Sequence, residues 1–261
     1  MERYGIRFGG IRRLYSKDGL ERLRQAHVCV IGIGGVGSWA VEALARSGIG
    51  ALTLVDMDDI CVSNVNRQIH ALDGEIHKPK VDVIAARIHA INPGCTVRPE
   101  RAFFVQANAR KILETRFDYV FDAIDAPREK ALCISLCCEL KIPVITSGGA
   151  GGRRDPTQVR LDDLSRASHD RLLQALRKKL RSDYNFPRGE KKFGVECIFS
   201  PEPPLFPHKD GSVCETKEAS EEQLKLDCRA GFGSATFVTG TFGFVGAARI
   251  VARIAEQSVG R

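Results

Sequence analysis

The stretch from His27 to Asp58, HVCVIGIGGVGSWAVEALARSGIGALTLVDMD, decides the fold. It opens with a short apolar run, His27 to Ile31, of the kind that forms a buried parallel strand. Gly32-x-Gly34-Gly35-x-Gly37 follows at once, and from Val36 to Ser47 the apolar residues take helical spacing. A second apolar run, Ala51 to Val55, ends in Asp56. Strand, glycine turn, helix, strand and acid make a mononucleotide-binding βαβ unit. A phosphate can approach backbone closely only where Cβ atoms are missing, and a helix N-terminus offers it free N–H groups. Asp56, at the carboxyl end of the second strand, is placed for a ribose hydroxyl. The plain alternative is a glycine turn that only packs helix on strand.

Beyond Asp56 and Asp58 a long polar loop, Asp59 to Pro79, carries Ser63, Asn64, Asn66, Arg67, Gln68, His70 and His77. Loops of this length inside a compact domain are commonly functional. A helix is expected from Lys80 to Asn92, opened by Pro79 and stopped by Pro93-Gly94. Strands are expected within Thr96–Val105, over Tyr119–Ile124 and over Pro143–Thr146, with helices over Asn108–Arg116 and Pro127–Leu140. The result is an α/β, Rossmann-like fold: a mostly parallel central sheet flanked by helices, followed by a C-terminal crossover region and helix. Ligands of such sheets bind outside the carboxyl ends of the strands, where Asp56, Asp58 and Asp125 fall. A carboxylate facing phosphates needs a cation between them, so Asp125 with Mg²⁺ is the natural pairing. Its plain alternative is to cap the helix starting near Pro127.

The flanks are basic. Arg3, Arg7, Arg12, Arg13, Arg22 and Arg24 crowd residues 1–26, read as a solvated arm or one that reaches an anionic site. After the glycine-rich Ser147–Gly152 come Arg153 and Arg154, then a helical pattern from Ala167 to Ser182. Its polar face holds Arg171, Arg177, Lys178, Lys179 and Arg181, either a solvated face or a nucleic-acid surface. Lysine and arginine number 39 against 32 acids, a net charge of +7 that suits an anionic partner. From Phe193 to Asp227 a strand over Val195–Phe199 precedes a proline-rich crossover or lid. Ala230 to Ala248 is uncharged and long enough to span a membrane. Its many Gly, Ser and Thr residues favour a buried helix at the core or a subunit interface.

The chain of 261 residues is read as a single domain: a basic arm over 1–26, a nucleotide-binding core over 27–160, and a substrate-side extension with the C-terminal helix over 161–261. Nine cysteines, an odd number with no C-x-x-C pair and no signal peptide, indicate free thiols in a reducing cytoplasm rather than disulfides or structural zinc.

Gly32-Ile33-Gly34-Gly35-Val36-Gly37-Ser38, Asp56-x-Asp58, Ser63-Asn64-Val65-Asn66-Arg67-Gln68, Lys80 and Asp122-x-x-Asp125 together resemble the ThiF/MoeB family of adenylating enzymes, relatives of the ubiquitin activators. Arg7-Phe8-Gly9-Gly10, the Gly148–Gln158 stretch, Cys197-x-Phe199-Ser200, Asp210–Cys214 and Leu226-Asp227-Cys228 are similar to the tRNA-modifying branch of that family. The resemblance implies ATP and Mg²⁺ as cofactors. It implies a substrate tRNA carrying threonylcarbamoyladenosine beside the anticodon, dehydrated through adenylation of its carboxylate. Asp56 resembles the ribose-binding acid, Gly34 and Gly35 the α-phosphate cradle, Asn64, Arg67 and Lys80 the triphosphate contacts, and Asp125 the magnesium ligand. Gly32, Gly37, Asp58 and Gln68 complete the cofactor-binding set. Arg13 resembles an arginine that enters the partner subunit's site, which implies a homodimer. The catalytic set is Arg67, Lys80, Asp125 and Arg13. Cys214 and Cys228 are read as packing thiols. The alternative substrate is the C-terminal glycine of a ubiquitin-like sulfur-carrier protein. A sulfur-transfer protein docking on Pro201–Pro207 is a further expected partner, and membrane contact through Ala230–Ala248 a lesser one.

Overall fold

The computed structural model describes residues 2–208, 210–216 and 232–256; Lys209, Lys217 to Gly231, Cys228 among them, and the terminal residues lie outside the described set. Seven strands form one sheet: β1 (His27–Ile31), β2 (Ala51–Val55), β3 (Thr96–Glu100), β4 (Tyr119–Asp122), β5 (Val144–Ser147), β6 (Arg160–Asp163) and β7 (Glu196–Phe199). Their order is β3-β2-β1-β4-β5-β7-β6, and every pairing is parallel except β6 with β7. The chain reverses its direction of travel across the sheet between β1 and β4, so the crevice falls over the carboxyl ends of those strands. There Ile31 pairs with both Val55 and Asp122.

Strand alternation assigns the two faces. Val28 and Val30 point with Leu52, Leu54 and Phe121 into a core closed by α2 (Gly9–Gln25), α3 (Gly37–Arg46), α4 (Lys80–Ile91) and α8 (Thr236–Ala255). Cys29, Ile31 and Val120 point the other way, against α5 (Ala109–Leu113) and α6 (Pro127–Glu139). α7 (Arg171–Asp183) extends that second layer through Leu173, Leu176 and Leu180.

Two expectations change and one element is new. Residues 2–26 are not the solvated arm expected: α1 (Glu2–Arg7) and α2 pack on the core, with Phe8, Leu20 and Leu23 buried. Two of the basic residues hold this helical layer down, Arg7 bonding the Ile91 carbonyl at 2.6 Å and Arg22 the Ala255 carbonyl at 3.0 Å. β4 ends at Asp122 rather than Ile124, because the chain turns into the cleft there and Asp122 accepts from the Ile124 N–H at 3.1 Å. The strand β6 was not expected at all.

The glycine-rich C-terminal stretch is a core helix. α8 has the length and composition of a membrane span, yet Val238, Phe242, Ile250 and Ile254 are buried. A Cβ on Gly243 would lie 2.6 Å from the Val36 carbonyl, and one on Gly246 would lie 2.7 Å from the Phe121 ring. Glycine there lets α8 lie directly on α3 and on the sheet. Arg249 and Arg253 then close on Glu196 of β7, Arg249 Nε at 2.9 Å.

Candidate active site

The glycine turn between β1 and α3 divides into two kinds of position. Gly32 adopts φ +91°, and Gly37 packs so tightly that a Cβ would sit 1.8 Å from the Gly32 carbonyl. Both shape the turn. A Cβ on Gly34 would meet nothing nearer than Gln68 Nε2 at 3.9 Å. The missing side chain of Gly34 therefore leaves room for a ligand rather than for protein.

That room belongs to a cleft of about 1060 Å³ over the carboxyl ends of β1, β2, β4 and β5. Of the residues expected to bind the cofactor, Gly32, Gly34, Gly35, Asp56, Asp58, Asn64, Arg67, Gln68, Lys80 and Asp125 line it. Gly37 lies beneath the turn, and Arg13 stands away from the cleft, exposed on α2.

Asp56 is pinned by backbone. Its carboxylate accepts from Ile33 N at 2.6 Å and Asp58 N at 2.8 Å, tying the glycine turn to the end of β2. Burial raises its pKa despite those bonds and the nearby charge of Lys80. Lys80, buried at the start of α4, bonds Asp58 Oδ2 at 2.8 Å. Beside it His70 is 1 % exposed and neither ring nitrogen has a hydrogen-bond partner. Burial, with Lys80 adding to it, lowers the His70 pKa to about 4, so the ring is neutral.

Asn64 is structural as well as cleft-lining: its side-chain oxygen accepts from Cys61 N at 3.0 Å within the turn Val62–Asn64. Arg67 reaches the Ser63 carbonyl at 2.6 Å, while its own carbonyl accepts from Trp39 of α3 at 3.0 Å. The Gln68 amide oxygen is buried with no partner. Asp125 is exposed on the cleft wall, and the N-cap position of α6 is Ala126, with no side-chain cap, so the capping alternative for Asp125 does not hold.

Three features differ from the sequence reading or go beyond it. Beneath the cleft, Asp122 and Lys130 form a wholly buried ion pair at 3.0 Å, completed by Thr146 Oγ1 at 2.7 Å from Asp122. The signal was a lone lysine in an otherwise apolar helix run, KALCISLCC. Arg153, read as an exposed cation for tRNA, is instead 4 % exposed. Its guanidinium bonds the carbonyls of Gly149, Gly151 (3.1 Å) and His169 (3.0 Å), and pairs with Asp170 at 3.7 Å. It holds the loop Gly148–Gly151 as a rigid wall of the cleft. Residues 232–235 bridge the rim from that wall to the Asn66 loop: Ser234 O accepts from Asn66 Nδ2 at 2.8 Å, and Gly233 O from Gly152 N at 2.7 Å.

A nucleotide-sized cleft with cations on one side and a free carboxylate on the other suits an adenylating enzyme, and the chain belongs to the ThiF family, whose model matches residues 10–253. The tRNA threonylcarbamoyladenosine dehydratase of Escherichia coli is similar, 48 % identical over 96 % of this chain and 96 % of its own. A crystal structure of the E. coli tRNA N6-threonylcarbamoyladenosine dehydratase in complex with ATP superposes with a TM-score of 0.86 at 43 % identity, covering 97 % of this chain and 96 % of that one. The E. coli molybdopterin-synthase adenylyltransferase is 32 % identical over 54 % of this chain and 55 % of its own.

Proposed function

We propose that this protein is a cytoplasmic, ATP-dependent tRNA-modifying enzyme that dehydrates threonylcarbamoyladenosine to its cyclic form. The observation that carries the reading is the pairing of an open phosphate cradle at Gly34 with Arg67, Lys80 and Asp125 around one cleft. The near full-length likeness to the dehydratase supports this substrate over a carrier-protein glycine, since the molybdopterin-synthase adenylyltransferase is matched over only about half of the chain.

The substrate carboxylate attacks the α-phosphorus of ATP; an acyl-adenylate forms and pyrophosphate leaves. The carbamoyl nitrogen or oxygen then attacks the acyl carbonyl and expels AMP. One water is lost in all. The first step gathers negative charge on phosphate oxygens, which Arg67 and Lys80 stabilise from fixed positions in a partly desolvated cleft. Lys80 exchanges its Asp58 contact for phosphate as ATP enters. Asp56 receives the ribose hydroxyls at the end of β2. The second step is intramolecular, so its acceleration comes from holding the two ends of the substrate together against the Gly148–Gly151 wall.

Among the described residues no three His, Cys, Asp or Glu side chains cluster as a metal site. One exposed carboxylate beside a triphosphate nevertheless fits Mg²⁺, which takes one or two carboxylates and fills the rest of its shell with phosphate oxygens and water. Asp125 would hold it, and when bound it neutralises phosphate charge.

A homodimer suits the chain: α2 and α8 pack together and expose Leu14 (77 %), Phe237 (57 %) and Phe244 (47 %). Arg13, on the same α2, would act on the partner's cleft. A sulfur-transfer protein is the partner proposed for residues 201–207, where Phe206 packs at the cleft mouth.

The test is mass spectrometry of nucleosides after incubating the protein with ATP, Mg²⁺ and tRNA bearing threonylcarbamoyladenosine. A product lighter by one water, with AMP released, is the expected result. An unchanged nucleoside from a preparation that still exchanges pyrophosphate into ATP with a carrier protein overturns the reading.

A further inference from the structure

A second concavity lies outside the nucleotide cleft, along the outer face of α7. It encloses about 760 Å³ and is lined by Arg171, Arg177, Lys178, Arg181 and Arg188, with no acidic residue among its lining. Surface helices usually interleave their cations with acids. Among the described residues, the ion pair made on α7 lies off the groove, where Lys179 meets Asp183 at 3.5 Å.

The groove cations are held instead by neutral groups. Arg181 bonds the carbonyls of Pro187 (3.2 Å) and Gly189 (3.3 Å) and lies 5.2 Å above the Phe193 ring. Arg177 reaches the Leu164 carbonyl at 3.4 Å. Lys178 and Arg188 are exposed. Carbonyls and rings fix a guanidinium in place without cancelling its charge, so the groove keeps its full positive field. Partial burial, with the neighbouring Arg181 adding to it, holds the Arg177 pKa below its ordinary value.

The groove also leads to the cleft. Leu172 of α7 lines the cleft, and Asp170, which caps α7, holds Gly149 N at 2.9 Å. From Arg171 a stack runs inward: its guanidinium lies 4.8 Å over Phe206, whose ring is 5.1 Å from that of Phe232. Phe232 is 42 % exposed and lines the cleft. A cationic track that ends at an aromatic platform is the chemistry that recognises single-stranded nucleic acid.

We propose that the α7 groove seats the phosphate backbone of the tRNA next to the nucleotide being modified, with Lys178 and Arg188 on phosphates and Phe232 stacking on a base at the cleft mouth. The inference rests on the tRNA reading above and adds the surface that delivers the substrate. An unpaired loop laid along α7 brings its backbone to Arg171, from which one nucleotide turns past Phe232 into the cleft.

The experiment is a titration of labelled tRNA into the full chain at several salt concentrations, comparing wild type with the double variant Lys178→Ala/Arg188→Ala. Each lost phosphate contact reduces the slope of log affinity against log salt by about one, so the double variant is expected to lose about two. ATP affinity, measured alongside, is expected to stay unchanged. Phe232→Ala is expected to weaken tRNA binding without altering the slope. The charge-conserving pair Lys178→Arg/Arg188→Lys is expected to keep the slope, which separates charge from any disturbance of the helix. A double alanine variant with wild-type affinity and slope overturns the proposal and leaves the groove to an acidic protein partner. So does loss of the slope in the charge-conserving pair. Failure of the underlying reading looks different: wild type would bind tRNA with the full slope but return the nucleoside undehydrated.

Discussion

Gly34 and Gly37 stand three residues apart and are glycine for different reasons. At Gly37 a Cβ would collide with the Gly32 carbonyl at 1.8 Å, whereas at Gly34 it would enter the cleft. Gly37→Ala is therefore expected to cost about 3 kcal/mol or more of stability, as forced overpacking does. Gly34→Ala should keep the urea midpoint of wild type while weakening ATP binding about tenfold, which calorimetry would register. His70 gives a pH prediction. Folded, its ring stays neutral to about pH 4, while the unfolded histidine takes its proton near the ordinary 6.5. Stability is then complete above the upper value and is lost as pH falls through the lower one. His70→Asn should flatten that part of the pH dependence of urea unfolding. The glycine motif, Asp56 and the cationic loop were legible because nucleotide chemistry dictates both residue type and order. The environment of His70 was not, since burial by distant segments leaves no mark on neighbouring letters. Arg153 shows the same limit. An arginine that bonds carbonyls from three loops looks, in the sequence, like any other basic residue.

The parallel strands and their helices were readable from apolar runs and periodicity, and their boundaries shifted by up to four residues, most at the start of α7. β6 was not, because Arg160-Leu161-Asp162-Asp163 has a single apolar position and forms an edge, where no second layer demands alternation. The helical state of residues 1–26 was hidden too. α2 is glycine-bearing and strongly basic, and Ser16 interrupts it at φ 70°, so its helix depends on packing against α8 rather than on local propensity. α8 was correctly read as buried from its small residues, and the structure supplies the reason at each one. Gly246→Ala would press a methyl into Phe121 and Ile198 at 2.7 and 2.8 Å. A loss of about 1–3 kcal/mol is expected, measurable as a lowered urea midpoint, with ATP affinity of the folded fraction intact.

Across the whole molecule, the cleft draws on both ends of the chain, the glycine turn at residue 32 and the rim at residues 232–235. The proposed dimer, with Arg13 working across its interface, would add a third contribution, and it carries a complementation test. Arg13→Ala and Asp125→Ala should each be inactive alone. Mixed and re-equilibrated, they should recover about a quarter of wild-type activity, since half the dimers are hybrid and each hybrid has one intact site. No recovery would remove Arg13 from the catalytic set. The placement of α8 also has a consequence in time. α3 ends at Arg46 and its covering helix begins at Thr236. At a synthesis rate of about 5–20 residues per second, the apolar flank of α3 and β1 waits roughly ten to forty seconds for its cover during translation. The nascent chain is thus a customer for holding chaperones until α8 emerges, and ribosomes stalled before that point release an aggregation-prone product.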